Sequence, residues 1–387
     1  MSTLNLRRFA SPGALKTLDL AALVALLERE GGDYLRERME LVPDPSCFDY
    51  TRLALLLANP EDGFPVRLAD ALYHVHELAD ADGLEALLDA ANTLGQGPDI
   101  PLDASPADVA VRLWLHDREL VERLHAERFV VRPKSFESYL GRGVLPVRRP
   151  EPTELQIQAL EARLDDWFHE RRRGRHSRVL VFDRPDAVWF LVRHGQPMDR
   201  RGVIRDGESA CSFERPEVYD VVMYSPERDE LSIHARTKGE RELYRVEFGR
   251  HIFDDADYFP SNGKYTLRPL LRHGEDALAC HDVEGIDWVR LREVRLFYGG
   301  AHPETVIRRA KTDLFEVFNA RGIELGNLPV FQASFHVKFA GNRGPRTVTI
   351  KPPNVATYQR EADEDLVSRW FELRGFLRQV RADEQAA

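Results

Sequence analysis

Apolar positions in the first third of the chain recur at three- and four-residue spacing, the period of helices with one buried face. Leu18, Ala22, Leu23, Leu26 and Leu27 line one side of a stretch from Leu15 to Glu30, which Gly31-Gly32 ends. Asp49 is placed to cap a second helix from Thr51 to Ala58, closed by Asn59-Pro60. Pro65 suits the first position of a third, running to about Asp80, and a fourth spans Gly83 to Leu94. Ser105-Pro106-Ala107-Asp108 starts the longest, to about Glu127. An all-α interaction domain over 1–135 is expected.

Residues 136–153 are expected to be a linker. Gly141, Gly143, Pro146, Pro150 and Pro152 punctuate it, among Arg142, Arg148 and Arg149. A periodic helix follows from Glu154 to Arg173, with Leu155, Ile157, Leu160, Leu164, Trp167 and Phe168 on roughly one side. The period then changes to two. Val179–Phe182 and Ala187–Val192 flank Asp183-Arg184-Pro185-Asp186, and Val218–Tyr224 and Glu230–Arg236 flank Ser225 to Asp229, which predicts two hairpins. A helix from Lys238 to about Ile252, strands at Tyr265–Leu271 and Val289–Tyr298, and a helix from Pro303 to Ala320 come next. The chain ends with a hairpin, Val330–Phe339 and Arg346–Lys351, and a helix from Asp363 to Leu373. The expected class is α + α/β: an all-α front, then a mixed α/β region of mainly antiparallel hairpins, divided into a core at 154–275 and a C-terminal domain at 276–387.

Charge sharpens this division. Residues 1–140 carry 14 Lys/Arg against 24 Asp/Glu, so the whole net charge of −10 lies in the front. Such a surface repels phosphate and suits a protein partner better than nucleic acid. No run approaches the roughly 18–20 apolar residues of a membrane helix. Met1 to Arg8 lacks the pattern of a signal peptide. Cys47, Cys211 and Cys280 are odd in number and far apart, which points to a reducing compartment. A cytoplasmic protein with no membrane contact is expected.

Three constellations offer chemistry. Leu191-Val192-Arg193-His194-Gly195 resembles the Arg-His-Gly motif of histidine phosphatases, in which the His would take a phosphoryl group and the Arg clamp its oxygens. The same triplet recurs at Arg272-His273-Gly274, so it arises cheaply in an Arg-rich chain.

The order of elements from residue 154 is similar to that of the PD-(D/E)XK nuclease core. That resemblance implies an acid on one strand and an acid-x-Lys on the next, holding Mg²⁺ or Mn²⁺ against a phosphodiester. Asp220, or Glu217 after Pro216, stands for the first acid, while His234 and Arg236 occupy the places of the second acid and the Lys. Neutral His is a poor Mg²⁺ ligand and Arg is no base near neutral pH, so the core is expected to be degenerate. Glu214, Glu217 and Glu230 are further carboxylates that a rescued site would draw on.

The third constellation is basic. Arg171, Arg172, Arg173, Arg175 and Arg178 end the helix from Glu154, with His176 among them, and Arg200, Arg201 and Arg205 follow in a Gly-containing segment. Lys338, Arg343, Arg346 and Lys351 decorate the final hairpin in the manner of a wing. These are the expected nucleic-acid contacts. His74 and His76 point to different helix faces, and Cys280-His281-Asp282 lacks a completing ligand, so no metal site is expected. No Walker A loop appears, which leaves room for an ATPase or nuclease as partner. The sequence thus predicts a non-catalytic or catalytically degenerate subunit of a nucleic-acid-associated assembly, such as a bacterial anti-phage defence or DNA-processing complex. A nuclease centred on Asp220 and a phosphoryl-transfer enzyme using His194 are the alternatives.

Overall fold

The computed structural model describes residues 8–61, 63–94, 97–142, 149–205, 207–260 and 263–378. The expected punctuation at Gly143, Pro146 and Arg148 lies outside them. By contacts the chain forms two units: Met1–Arg128 with Arg200–Phe213, and Phe129–Asp199 with Glu214–Ala387.

The first unit holds α1 (Pro12–Leu15), α2 (Leu20–Arg36), α3 (Tyr50–Ala58), α4 (Val66–Leu78), α5 (Ala81–Thr93), α6 (Pro106–His116) and most of α7 (Arg118–Val131). The caps are those the sequence signals: Asp49 accepts from the Arg52 amide, and Ser105 and Asp108 close a capping box. Leu23, Leu26, Leu27, Leu53, Leu72 and Trp114 share its core. Two helix limits differ from expectation. α2 passes Gly31 and continues beyond a kink at Gly32, whose φ of 48° suits glycine. The single long helix is two, because Asp117 turns extended (φ −146°, ψ 97°) between α6 and α7.

In the second unit, β1 (Ser135–Leu140), α8 (Glu154–Glu170), β2 (Arg178–Asp183) and β3 (Val188–Gly195) come first. β4 (Asp199–Arg205) and β5 (Glu208–Glu214) then form a separate two-stranded sheet whose body belongs to the first unit. The second unit resumes with β6 (Glu217–Ser225), β7 (Glu230–His234), α9 (Lys238–Ile252), α10 (Arg268–His273), β8 (Ile286–Tyr298), β9 (Glu304–Arg309) and α11 (Leu314–Arg321). It closes with β10 (Val330–Phe339), β11 (Arg346–Lys351), β12 (Val355–Thr357) and α12 (Arg360–Leu373).

One ten-stranded antiparallel sheet runs in the order β2-β3-β6-β7-β1-β12-β11-β10-β8-β9. A mixed α+β protein with a large antiparallel sheet is therefore what this chain builds. The expected linker at 136–153 is corrected at its start: β1 is the strand that joins the two halves, paired with β7 on one side and β12 on the other. The division at 275/276 likewise has no counterpart in the sheet, which runs through both segments. Two further segments exchange type. Tyr265–Leu271 makes only an isolated bridge at Tyr265 before α10. The segment 303–320 begins as β9, where β-branched Thr305, Val306 and Ile307 favour extension, and turns helical only after Asp313 caps α11.

The halves of the sheet are covered on opposite faces. α8 and α9 bury Leu160, Leu164, Phe168, Leu243 and Phe248 against Phe190, Val192, Val222 and Ile233. Carried through the register from Ser232↔Ser138 to Phe136↔Ala356 and Ala356↔Ile350, the other face leads to Phe335, which meets Trp370 of α12 at 5.3 Å between ring centroids. No helix among the described residues is long and apolar enough to cross a membrane.

Candidate functional site

Strand register decides what the sequence-predicted residues can do together. Asp220 on β6 pairs with Val192, and its neighbour Val221 pairs with His234 on β7. Successive residues of a strand point to opposite faces. Asp220 therefore lies on the α8/α9 face and His234 on the other. His234 gives Nδ1 to the Ser135 carbonyl (2.8 Å), and Arg236 is exposed past the strand end. The three residues do not meet. Glu217 is exposed opposite Gly195, and Arg193 lies 3.5 Å from it.

Asp220 instead meets His194, which the sequence places in a different reading. His194 Nε2 is 3.0 Å from Asp220 Oδ2, and the Tyr244 hydroxyl donates to the same oxygen at 2.8 Å. The His194 ring stacks on Phe168 at 4.1 Å, and both His194 and Asp220 are 2% exposed. Burial, then the Asp220 charge, raises the Tyr244 phenol well above its ordinary range, so it stays a donor. His194, Asp220 and Glu240 each offer a ligand atom within 4.8 Å of the others, the one such group among the described residues. Its capacity is already used. Arg173 bonds Glu240, whose second oxygen takes the Thr237 amide at 2.6 Å. Mg²⁺ needs an octahedral oxygen shell that keeps several waters, and this buried set fits it poorly. The Thr237-x-x-Glu240 capping box was a legible signal for Glu240; Tyr244 follows one turn later on the same face of α9.

Glycine at 195 has a packing reason. A Cβ there would lie 2.6 Å from the Arg173 carbonyl and 2.4 Å from Arg215 Cδ. In Arg193-His194-Gly195, then, the His belongs to the core and the Gly admits a crossing backbone.

The arginine run is largely neutralised one residue at a time. Arg171 reaches Glu170 (3.4 Å) and lies over the Trp167 ring, Arg173 bonds Glu240, Arg175 bonds Asp166, and Arg178 reaches Glu161 (3.1 Å). On the final hairpin Arg346 bonds Asp363 and Lys338 lies 3.8 Å from Asp287. Among the described residues, Arg172, Arg200, Arg205, Arg343 and Lys351 have no acid partner. Arg201 sits on β4 beside Arg200 and does have a partner.

A second charged network, unforeseen from sequence, occupies the other face of the sheet. Glu230 is 1% exposed and takes Lys264 Nζ at 2.5 Å and Ser232 Oγ at 3.0 Å, with Ser138 Oγ next at 2.7 Å. Burial pushes the Glu230 carboxyl up, but Lys264 and Arg360 outweigh it and hold it down at about 2. Glu364 accepts from Arg360 (2.8 Å), Tyr358 (2.7 Å) and Arg228. Only its position near the start of a helix hinted at this role for Glu364. Beside the network lies a cavity of about 570 Å³ lined by Trp189, Met223, Glu230, Arg228, Arg360 and Glu364, among others.

The three cysteines are free. No protein-family model matches this chain, and no curated protein matches it.

Proposed function

We propose that this chain is a non-catalytic binding subunit of a larger assembly. The observation that supports it most is the state of Asp220: buried, bonded by His194 and Tyr244, and on the opposite face from His234. A nuclease carboxylate has to reach metal, water and phosphodiester at once, and a nucleophilic His has to reach its phosphoryl donor. Both residues are spent inside the core. A degenerate PD-(D/E)XK-like core agrees with the order α8-β2-β3-β6-β7-α9 only as a scaffold without its catalyst.

The β4–β5 hairpin supports the docking half of the proposal. Ile204 is 81% and Phe213 64% exposed on it, large apolar side chains that gain from a protein partner. The nucleic-acid half rests on Arg172, Arg200, Arg205, Arg343 and Lys351. With only these five of the expected contacts lacking an acid partner, and a chain of net charge −10, such binding is weak and strongly salt-dependent. A cytoplasmic setting, an ATPase or nuclease partner and a role in defence or DNA processing belong to the same proposal.

The test is direct. Purified protein incubated with Mg²⁺ or Mn²⁺ and plasmid, single-stranded DNA or RNA leaves each substrate intact. Cleavage that disappears in a folded Asp220→Asn variant would replace this reading by the nuclease.

A further inference from the structure

The binding-subunit reading makes no use of the cavity on the second face of the sheet, and a ligand there is independent of it. The cavity opens beside the turn between β2 and β3, the turn between β6 and β7, and the first turn of α12. Its volume, about 570 Å³, falls within the range of small-molecule sites, roughly 300–1,000 Å³.

Its charged lining is mixed: Arg184, Arg228 and Arg360 with Asp186, Glu227, Glu230, Glu364 and Asp365, of which Glu230 is held by Lys264. Arg360, 6% exposed, spends Nη1 on Glu364, and its Nε and Nη2 have no partner. Those two atoms form the side-on edge of a guanidinium, the edge that takes both oxygens of a carboxylate. Trp189, also deeply buried, has an unpartnered indole Nε1. Unpaired buried donors are costly, so an acceptor delivered to them is stabilised. Arg360 is also the first residue of the fourteen-residue α12, whose Gln359 side chain makes no cap, so the positive helix end adds to its charge.

The exposed charges of the lining are acidic, with Arg184 and Arg228 half-buried beside them. Asp186, Glu227 and Asp365 line the same cavity, all are exposed, and none has an ion-pair partner among the described residues. Met223 and Leu366 supply apolar wall. A polyanion would be repelled at the mouth, and a simple amine would leave the inner donors unmet.

We propose that this cavity binds a small amino-carboxylate, its carboxylate directed to Arg360 and Trp189 and its cationic group to the acidic mouth. The guanidinium edge is shielded from solvent, so the carboxylate reaches it by turning the Arg360 or Trp189 side chain. Binding therefore perturbs Trp189 fluorescence.

The test compares L-lysine, hexanoate and cadaverine by calorimetry and by fluorescence on the full chain. L-lysine is expected to bind at least about tenfold tighter than hexanoate, which lacks the cation, or cadaverine, which lacks the carboxylate, a difference of about 1.4 kcal/mol. Trp189→Phe should remove most of the fluorescence response. The triple variant Asp186→Asn, Glu227→Gln, Asp365→Asn changes only exposed groups and should bring L-lysine down to the level of hexanoate. Arg360→Lys keeps the charge beside Glu364 and removes the fork, so it should weaken hexanoate and spare cadaverine; should it not fold, the probe comparison decides alone. Hexanoate or cadaverine binding as tightly as L-lysine, or no binding by any probe, would overturn the proposal.

Discussion

Buried ionised groups in this protein come with partners, and Glu230 shows what that implies for acid stability. Its carboxyl sits at about 2 in the folded chain against an ordinary value of 4.5. A depressed value means that the folded state holds the carboxylate more firmly than the unfolded state does. Its contribution is complete above about pH 4.5 and is lost as the pH falls through about 2. Lys264 is shifted the other way. Burial lowers its value, but Glu230 raises it further, so its contribution survives until the pH rises above the ordinary lysine range. Urea unfolding at pH 7 and pH 3 should show a midpoint that drops in acid. Glu230→Gln should flatten that pH dependence while lowering stability at pH 7, because Lys264 is left buried and uncompensated, a loss of about 3–5 kcal/mol. An unchanged acid slope in Glu230→Gln would refute the assignment. Glu230 was legible as a carboxylate of interest from its strand. Its partners, Lys264 and Arg360, lie 34 and 130 positions further along the chain, and no local pattern joins them.

At the level of single elements, local signals carried the helices and the tight hairpins. Capping residues and period-two runs are properties of a few adjacent residues, so α3, α6, α9 and the pairs β2–β3 and β10–β11 were readable. β1 was not, since Ser138 interrupts its apolar run. That serine is buried because Ser232 bonds it from the neighbouring strand. Gly195 makes a sharper test. In the sequence it completes a phosphatase-like triplet; in the fold it makes room for the Arg173 carbonyl. Gly195→Ala should cost about 1–3 kcal/mol, read as a shift of the denaturation midpoint, because the added methyl meets backbone that cannot rotate away. Gly202→Ala, with no atom within 4 Å of its added Cβ, is the control and should shift the midpoint little.

Over the second unit as a whole, one sheet joins two differently covered halves through β1 and β12. Hydrogen exchange can ask whether the halves open together. Asp220→Asn weakens the buried network on β3 and β6 and is expected to raise exchange in β8 and β10 as well, since continuous strand pairing makes the sheet one cooperative body. Protection lost only in β2, β3, β6 and β7 would divide the unit in two.

Helix periodicity, caps, hairpin turns and the acidic bias of the front depend on neighbours in the chain, and those the sequence by itself determined. Which face each strand residue takes, and so which charges meet, depends on register and on pairing between segments remote in sequence. That is why His194 joins Asp220 while His234 does not; helix packing, in turn, brings Arg173 to Glu240 of α9. A one-residue change of register would move Asp220 or His194 to the opposite face, and only the folded sheet selects the register.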